Sequence, residues 1–126
     1  MIAADSSTWI AYLEGGWGKD VELLDKALGD RQVLMAPVVL AELLSDPKLP
    51  ESVGKILAEV PLIEIRAGYW ERAGALRAKV LARRHKARLG DALIAQSCID
   101  RGISLVTRDR DFRMFAEAAG LDLVVG

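Results

Sequence analysis

The sequence predicts an α/β domain of three layers, α/β/α, around a central parallel sheet. Three observations carry this expectation. Short apolar runs alternate along the chain with segments of helical periodicity; the runs are continuously apolar, as in strands buried on both faces; and several end directly in an acidic residue. Metal and phosphate chemistry commonly sits at the carboxyl edge of such a sheet.

Met1 to Ala4 reads as the first strand. Ser6 or Ser7 caps a helix that Trp9, Ile10, Tyr12 and Leu13 continue, and Gly15-Gly16 stops it. Lys19 to Leu28 follows as a helix with Val21, Leu24 and Leu28 on one face, and Gln32 to Met35 returns as a strand. Pro37 suits a first helical turn, so Val38 to Ser45 is expected helical. After the turn Asp46-Pro47 and Leu49-Pro50, Glu51 to Glu59 forms a helix that Pro61 ends, and Leu62 to Ile65 is strand-like. The longest helix spans about Gly68 to Arg84, since Tyr69, Ala73, Leu76 and Val80 recur at three- and four-residue spacing. Leu89 to Asp100 is a nearly all-apolar, hence buried, helix with Gly102 past its end; Ile103 to Val106 is a strand, Phe112 to Ala119 a helix, and Leu121 to Val125 the last strand.

At 126 residues and 52% hydrophobic, the chain suits a single domain over residues 1–126 that buries about two-thirds of its unfolded surface. No apolar run reaches the roughly 20 residues of a membrane span, and Asp5 stands where a signal peptide would be apolar, so no membrane association and a cytoplasmic location are expected. The lone Cys98 excludes a disulfide framework and a cysteine-rich zinc site and reads as a small core residue. The net charge of −1 conceals a division: Arg66 to Arg88 holds eight basic residues against Glu71 alone, a segment of +7, leaving −8 elsewhere. An acidic body with one basic stretch suits a cation held beside a polyanion; a solvated helix face is the equal alternative.

The acids that matter are Asp5, Glu42, Asp91 and Asp109. Asp5 and Asp109 follow strands; Glu42 lies about one and a half turns into a helix; Asp91 begins the buried helix, where its charge meets the positive helix terminus. Crowded carboxylates repel unless a cation neutralises them. An oxygen-only set without Cys or His suits Mg²⁺ or Mn²⁺ rather than zinc. Metal-assisted phosphodiester hydrolysis follows, a carboxylate orienting a water that the cation acidifies. Each acid also has a plainer reading: Asp5 as a helix cap, Glu42 as a surface glutamate, Asp91 as an N-cap, Asp109 as a turn residue. Asp111 reads first as a cap for the last helix and second as support for the metal, while Ser7 and Thr107 are candidates to hydrogen-bond the acids. His85 suits a solvated or RNA-facing position better than a catalytic base. A phosphatase with Asp5 as nucleophile would want a second aspartate where Ser7 stands.

Four motifs in this order, Asp5-Ser-Ser, Val39-Leu-Ala-Glu-Leu-Leu44, Leu89-Gly-Asp-Ala-Leu-Ile-Ala95 and Leu105-Val-Thr-Arg-Asp-Arg-Asp-Phe112, make the chain resemble a PIN domain, and more closely the VapC toxins of VapBC toxin–antitoxin pairs. The resemblance implies a parallel sheet of order 3-2-1-4-5 and an Mg²⁺- or Mn²⁺-dependent endoribonuclease with Asp5, Glu42, Asp91 and Asp109 as its acidic set. It also implies structured RNA such as tRNA or rRNA as substrate, a VapB-type antitoxin in the active-site groove, and a homodimer. The first motif, Asp-Ser-Ser, departs conservatively from the common Asp-Thr-Ser or Asp-Ser-Asn. On this reading Arg83, Arg84, Lys86 and Arg88, just before Asp91, hold the RNA backbone by phosphate contacts. Trp9, Tyr12, Leu13 and Trp17 are candidates for a dimer or antitoxin contact, with a core role equally open for the first three. A non-toxin PIN nuclease and a non-catalytic PIN-like interaction module remain as alternatives.

Overall fold

The computed structural model describes residues 1–126. Its elements are β1 (Ile2–Ala4), α1 (Ser6–Leu13), α2 (Lys19–Gly29), α3 (Pro37–Leu44), α4 (Glu51–Glu59), α5 (Tyr69–Ala82), α6 (Leu89–Arg101), β2 (Ser104–Thr107), a single 3₁₀ turn (Arg110–Phe112), α7 (Arg113–Ala119) and β3 (Leu123–Val125). Most helix ends fall within a residue or two of the sequence signals, but Asp5 and not Ser6 or Ser7 caps α1, α2 continues one residue past Leu28, and the helix expected from Phe112 begins at Arg113 after the 3₁₀ turn. Pro37 opens α3 with its missing N–H at no cost. Gly102 closes α6 in the left-handed region, φ 72°, and its amide and that of Ile103 both return to the Cys98 carbonyl, at 2.9 and 3.1 Å.

The sheet is parallel, in the order β1-β2-β3. It has three strands in place of the five expected. The segments Gln32 to Met35 and Leu62 to Ile65 contribute only isolated parallel bridges, Ile2 with Val33 and Met35 with Leu62. The physical limit is length: Pro37 starts a helix two residues after Met35, and Pro61 has no amide to donate. The amides of Ile2, Leu34 and Ile63 still find carbonyl partners across these segments at 2.9 Å, so the buried backbone is satisfied without a full ladder.

One continuous cluster of 25 buried apolar residues runs from Ala3 and Ala4 on β1 through Leu105 on β2 to Leu24, Val39, Leu76, Val80, Ile94 and Phe115 on the helices. Each fully buried Leu, Ile or Phe in it contributes about 1.5–3 kcal/mol through area removed from water. Cys98 belongs to this core, and burial pushes its thiol up to about 12, which leaves it inert. No helix is long and apolar enough to cross a membrane.

Candidate functional site

The β1–β2 register determines where the site begins. Ala4 pairs with Val106, and the Asp5 amide donates to the Val106 carbonyl at 3.2 Å, so Asp5 and Thr107 leave the same end of neighbouring parallel strands. Asp5 is 4% exposed. Its carboxylate accepts the Ser7 hydroxyl at 2.8 Å on both oxygens and the Thr8 amide at 3.2 Å, making it the N-cap of α1. Burial pushes its carboxyl above the ordinary range, against the hydroxyls of Ser7 and Thr107 and the Thr8 amide, which favour the charged form. Capping and a place in the acidic group are thus compatible roles.

Thr107, fully buried, accepts the Asp109 amide on its hydroxyl at 2.9 Å, and Asp109 accepts the Asp111 amide at 2.9 Å, capping the 3₁₀ turn. Asp111 supports Asp109 through its backbone; its side chain is exposed and does not cap α7, whose N-cap residue is Phe112. Glu42 on α3 accepts the Ser6 hydroxyl at 3.0 Å, which ties it to the residue after Asp5. Asp91 lies half-buried in the first turn of α6, whose N-cap is Arg88, so the plainer reading of Asp91 as an N-cap does not hold.

Asp91 reports that the four acids share one field. Burial first, then the charge of Asp109, then those of Asp5 and Glu42, push its carboxyl up to about 6, with Arg88 pulling the other way. Even so, no three acidic, His or Cys side chains are grouped closely enough to hold a metal ion as they stand. Asp5 and Glu42 are held by neighbouring hydroxyls, and Asp109 by the Asp111 amide and the Thr107 hydroxyl. The donor set, four carboxylates in mutual repulsion with no Cys or His among them, fits a hard divalent cation.

The basic segment divides in two. Arg66 and Arg72 bond to Asp100, Arg77 to the Ala87 carbonyl at 2.9 Å and Lys79 to the Ala118 carbonyl, so these serve the fold. Arg83, Arg84, Lys86 and Arg88 are exposed, and none of their side chains bonds to the chain. Arg84 closes α5 at φ 61°, and His85 beside it is exposed. Of the four, Arg88 is the one whose charge bears on Asp91.

A buried network escapes the sequence reading. The Asp20 side chain, 1% exposed, accepts the Thr8 hydroxyl at 2.9 Å and two bonds from Arg108, Nε at 2.8 Å and Nη2 at 3.0 Å. Burial alone would raise the Asp20 carboxyl, but the Arg108 and Thr8 bonds and the Arg108 charge outweigh it and hold it below the ordinary range. Thr8 gives its amide to Asp5, and Arg108 precedes Asp109, so this network braces both strand-end acids. The only local signal is that Arg108 sits between Thr107 and Asp109. Trp9 is a core residue, 2% exposed, Tyr12 is half-buried with its hydroxyl on Asp25, Leu13 is exposed, and Trp17 stands 88% exposed.

The family model of the PIN domain matches residues 2–118. Among solved structures, VapBC2 from Rickettsia felis bound to a DNA fragment from its promoter superposes with a TM-score of 0.75 and 21% identity, covering 100% of this chain and 99% of that one. VapBC from Salmonella typhimurium bound to DNA gives a TM-score of 0.74 at 17% identity over 98% of this chain and 96% of that one. A toxin–antitoxin complex from Klebsiella pneumoniae gives 0.71 at 21% identity, covering 99% and 97% respectively. No curated protein matches the chain in sequence. With the family model spanning nearly its whole length, the chain belongs to the PIN-domain family.

Proposed function

We propose that this chain is a metal-dependent endoribonuclease of the VapC type, the toxin of a VapBC-type pair, cutting phosphodiester bonds in structured RNA such as tRNA or rRNA. What supports the reading is a PIN fold, a family of nucleases, in which Asp5 and Asp109 follow the carboxyl ends of β1 and β2, Glu42 is tied to Ser6, and Asp91 feels the charge of all three. Those four residues would hold Mg²⁺ or Mn²⁺, and a bound cation would supply Lewis acidity toward the phosphate and toward water. Ser7 and Thr107 keep Asp5 and Asp109 oriented, and Asp111 contributes its amide to Asp109. Arg83, Arg84, Lys86 and Arg88 contact backbone phosphates, which positions RNA without reading its sequence.

The likeness to toxin–antitoxin complexes supports a VapB-type antitoxin as partner, and the reading includes a homodimer acting in the cytoplasm. A small reading frame encoded beside the gene separates a toxin from a housekeeping nuclease. The separation of the acids favours one competing view, a PIN-like module that assembles without catalysis. Incubating RNA with the purified chain decides between them: the nuclease cleaves with Mg²⁺ or Mn²⁺ and stops in chelator, whereas cleavage undiminished in chelator, or none under any condition, contradicts the proposal. Mapping new RNA 5′ ends after induction in cells names the target.

A further inference from the structure

Trp17 is the most exposed large hydrophobic residue of the chain, and its surroundings are unusual for an interface. It stands in the α1–α2 loop among Gly15, Gly16 and Gly18, which offer no side chains to build an apolar patch. The apolar groove of about 550 Å³ lined by Ile10, Leu13, Leu43 and Leu49 does not include it. Protein interfaces concentrate energy in clustered, desolvated anchors. A nucleobase needs only one accessible ring face.

The loop is nonetheless fixed. Arg108 Nη2 donates to the Trp17 carbonyl at 3.3 Å while the same guanidinium grips buried Asp20. Gly18, at φ 144°, lies so close to this pair that a Cβ there would stand 2.8 Å from Asp20 Oδ1 and 3.2 Å from Arg108 Nη2. Through Arg108 the loop joins Asp109, and through Asp20 and Thr8 it joins Asp5. Its charged neighbours in sequence include Lys19, and the strand end that anchors it carries Arg108 and Arg110. Nη1 of Arg108 makes no bond within the chain and keeps its donors free. An exposed aromatic ring, on a loop whose backbone is tied through Arg108 to the residue beside Asp109, offers the open face that a single-strand stacking platform needs.

We propose that Trp17 is a base-stacking residue for the RNA strand at the acidic site, held in register by the Asp20–Arg108 pair; this rests on the ribonuclease reading above. Equilibrium binding of an oligoadenylate strand to the Asp109→Asn chain tests it, with Trp17→Ala and Trp17→Phe compared. The alanine variant binds about 5- to 150-fold more weakly, the span expected for losing one stacked base, and phenylalanine restores most of the affinity. In a Trp70→Phe background, where Trp9 and Trp17 both emit, the strand changes the emission of exposed Trp17, and that change is lost in Trp17→Phe. Because Trp17 is exposed, the thermal melt stays unchanged. Unaltered affinity in Trp17→Ala, or a loss that phenylalanine does not restore, overturns the stacking role while cleavage by the unmodified chain leaves the ribonuclease reading standing. If the unmodified chain neither cleaves nor binds RNA, both fall.

Discussion

Arg108 and Asp20, 88 residues apart in sequence, form a two-point ion pair at 2.8 and 3.0 Å that pins the end of β2 to the first turn of α2. The two partners are not equivalent. The Asp20 side chain is 1% exposed, whereas that of Arg108 is 37% exposed and can turn to water.

Removing the arginine therefore costs more than neutralising the aspartate. Arg108→Ala leaves a buried carboxylate with only the Thr8 hydroxyl and the Val21 amide, and is expected to destabilise by about 2–3 kcal/mol, below the roughly 3–5 of a fully buried pair because water reaches the guanidinium. Asp20→Asn costs less, since the amide keeps an acceptor and Arg108 can solvate itself. Urea unfolding of both variants checks the order; a larger loss for Asp20→Asn would refute it.

Asp91 makes the stability of the metal-free chain depend on pH. Its carboxyl is raised from 3.8 to about 6, so the folded state binds a proton there more tightly than the unfolded chain. The stabilisation from this group is full below about pH 4, falls as pH rises toward about 6, and is absent above that. Asp91→Asn removes the penalty, so in chelator the variant gains several degrees in melting temperature at about pH 8 and little at about pH 4. Equal gains at both values would mean that burial and the neighbouring acids do not raise the Asp91 carboxyl in the fold.

The free cations should reveal themselves through salt. Replacing Arg83, Arg84, Lys86 or Arg88 by alanine flattens the plot of log affinity for RNA against log salt by about 0.7–0.9 per residue that contacts a phosphate, with little loss of stability. Arg72→Ala is the control. Its guanidinium is spent on Asp100 at 2.6 and 3.0 Å, so the salt slope holds while stability drops. An unchanged slope in all four variants would relieve the segment of its role.

Much of this architecture was legible because it is local. Tyr69, Ala73, Leu76 and Val80 announce the buried stripe of α5, and all four are buried; the expected span Gly68 to Arg84 shortens to Tyr69–Ala82 because Gly68 and Arg84 take left-handed backbone at its two ends. Strands were harder. Val33, Met35, Leu62 and Ile63 have strand composition, but Pro37 and Pro61 leave too few residues to build a ladder, and only bridges form. The acids at the ends of β1 and β2 could be read from the sequence because Asp5 directly follows an apolar run and Asp109 stands two residues past the end of another. The Thr8–Asp20–Arg108 network could not, since Asp20 looks like an ordinary first-turn acid and its partner lies across the fold. Neither could the hold of Ser6 on Glu42, a contact between two helices with no shared pattern.

Asp5, Glu42, Asp91 and Asp109 are proposed to bind one divalent cation together. Calorimetric titration of Mn²⁺ into the chain at neutral pH tests it most directly, in parallel with Asp91→Asn and Asp109→Asn. Saturable binding to the unaltered chain is expected, with at least about tenfold weaker binding to each variant, some 1.4 kcal/mol per lost carboxylate ligand. No binding to the unaltered chain, or equal binding to all three, would contradict it.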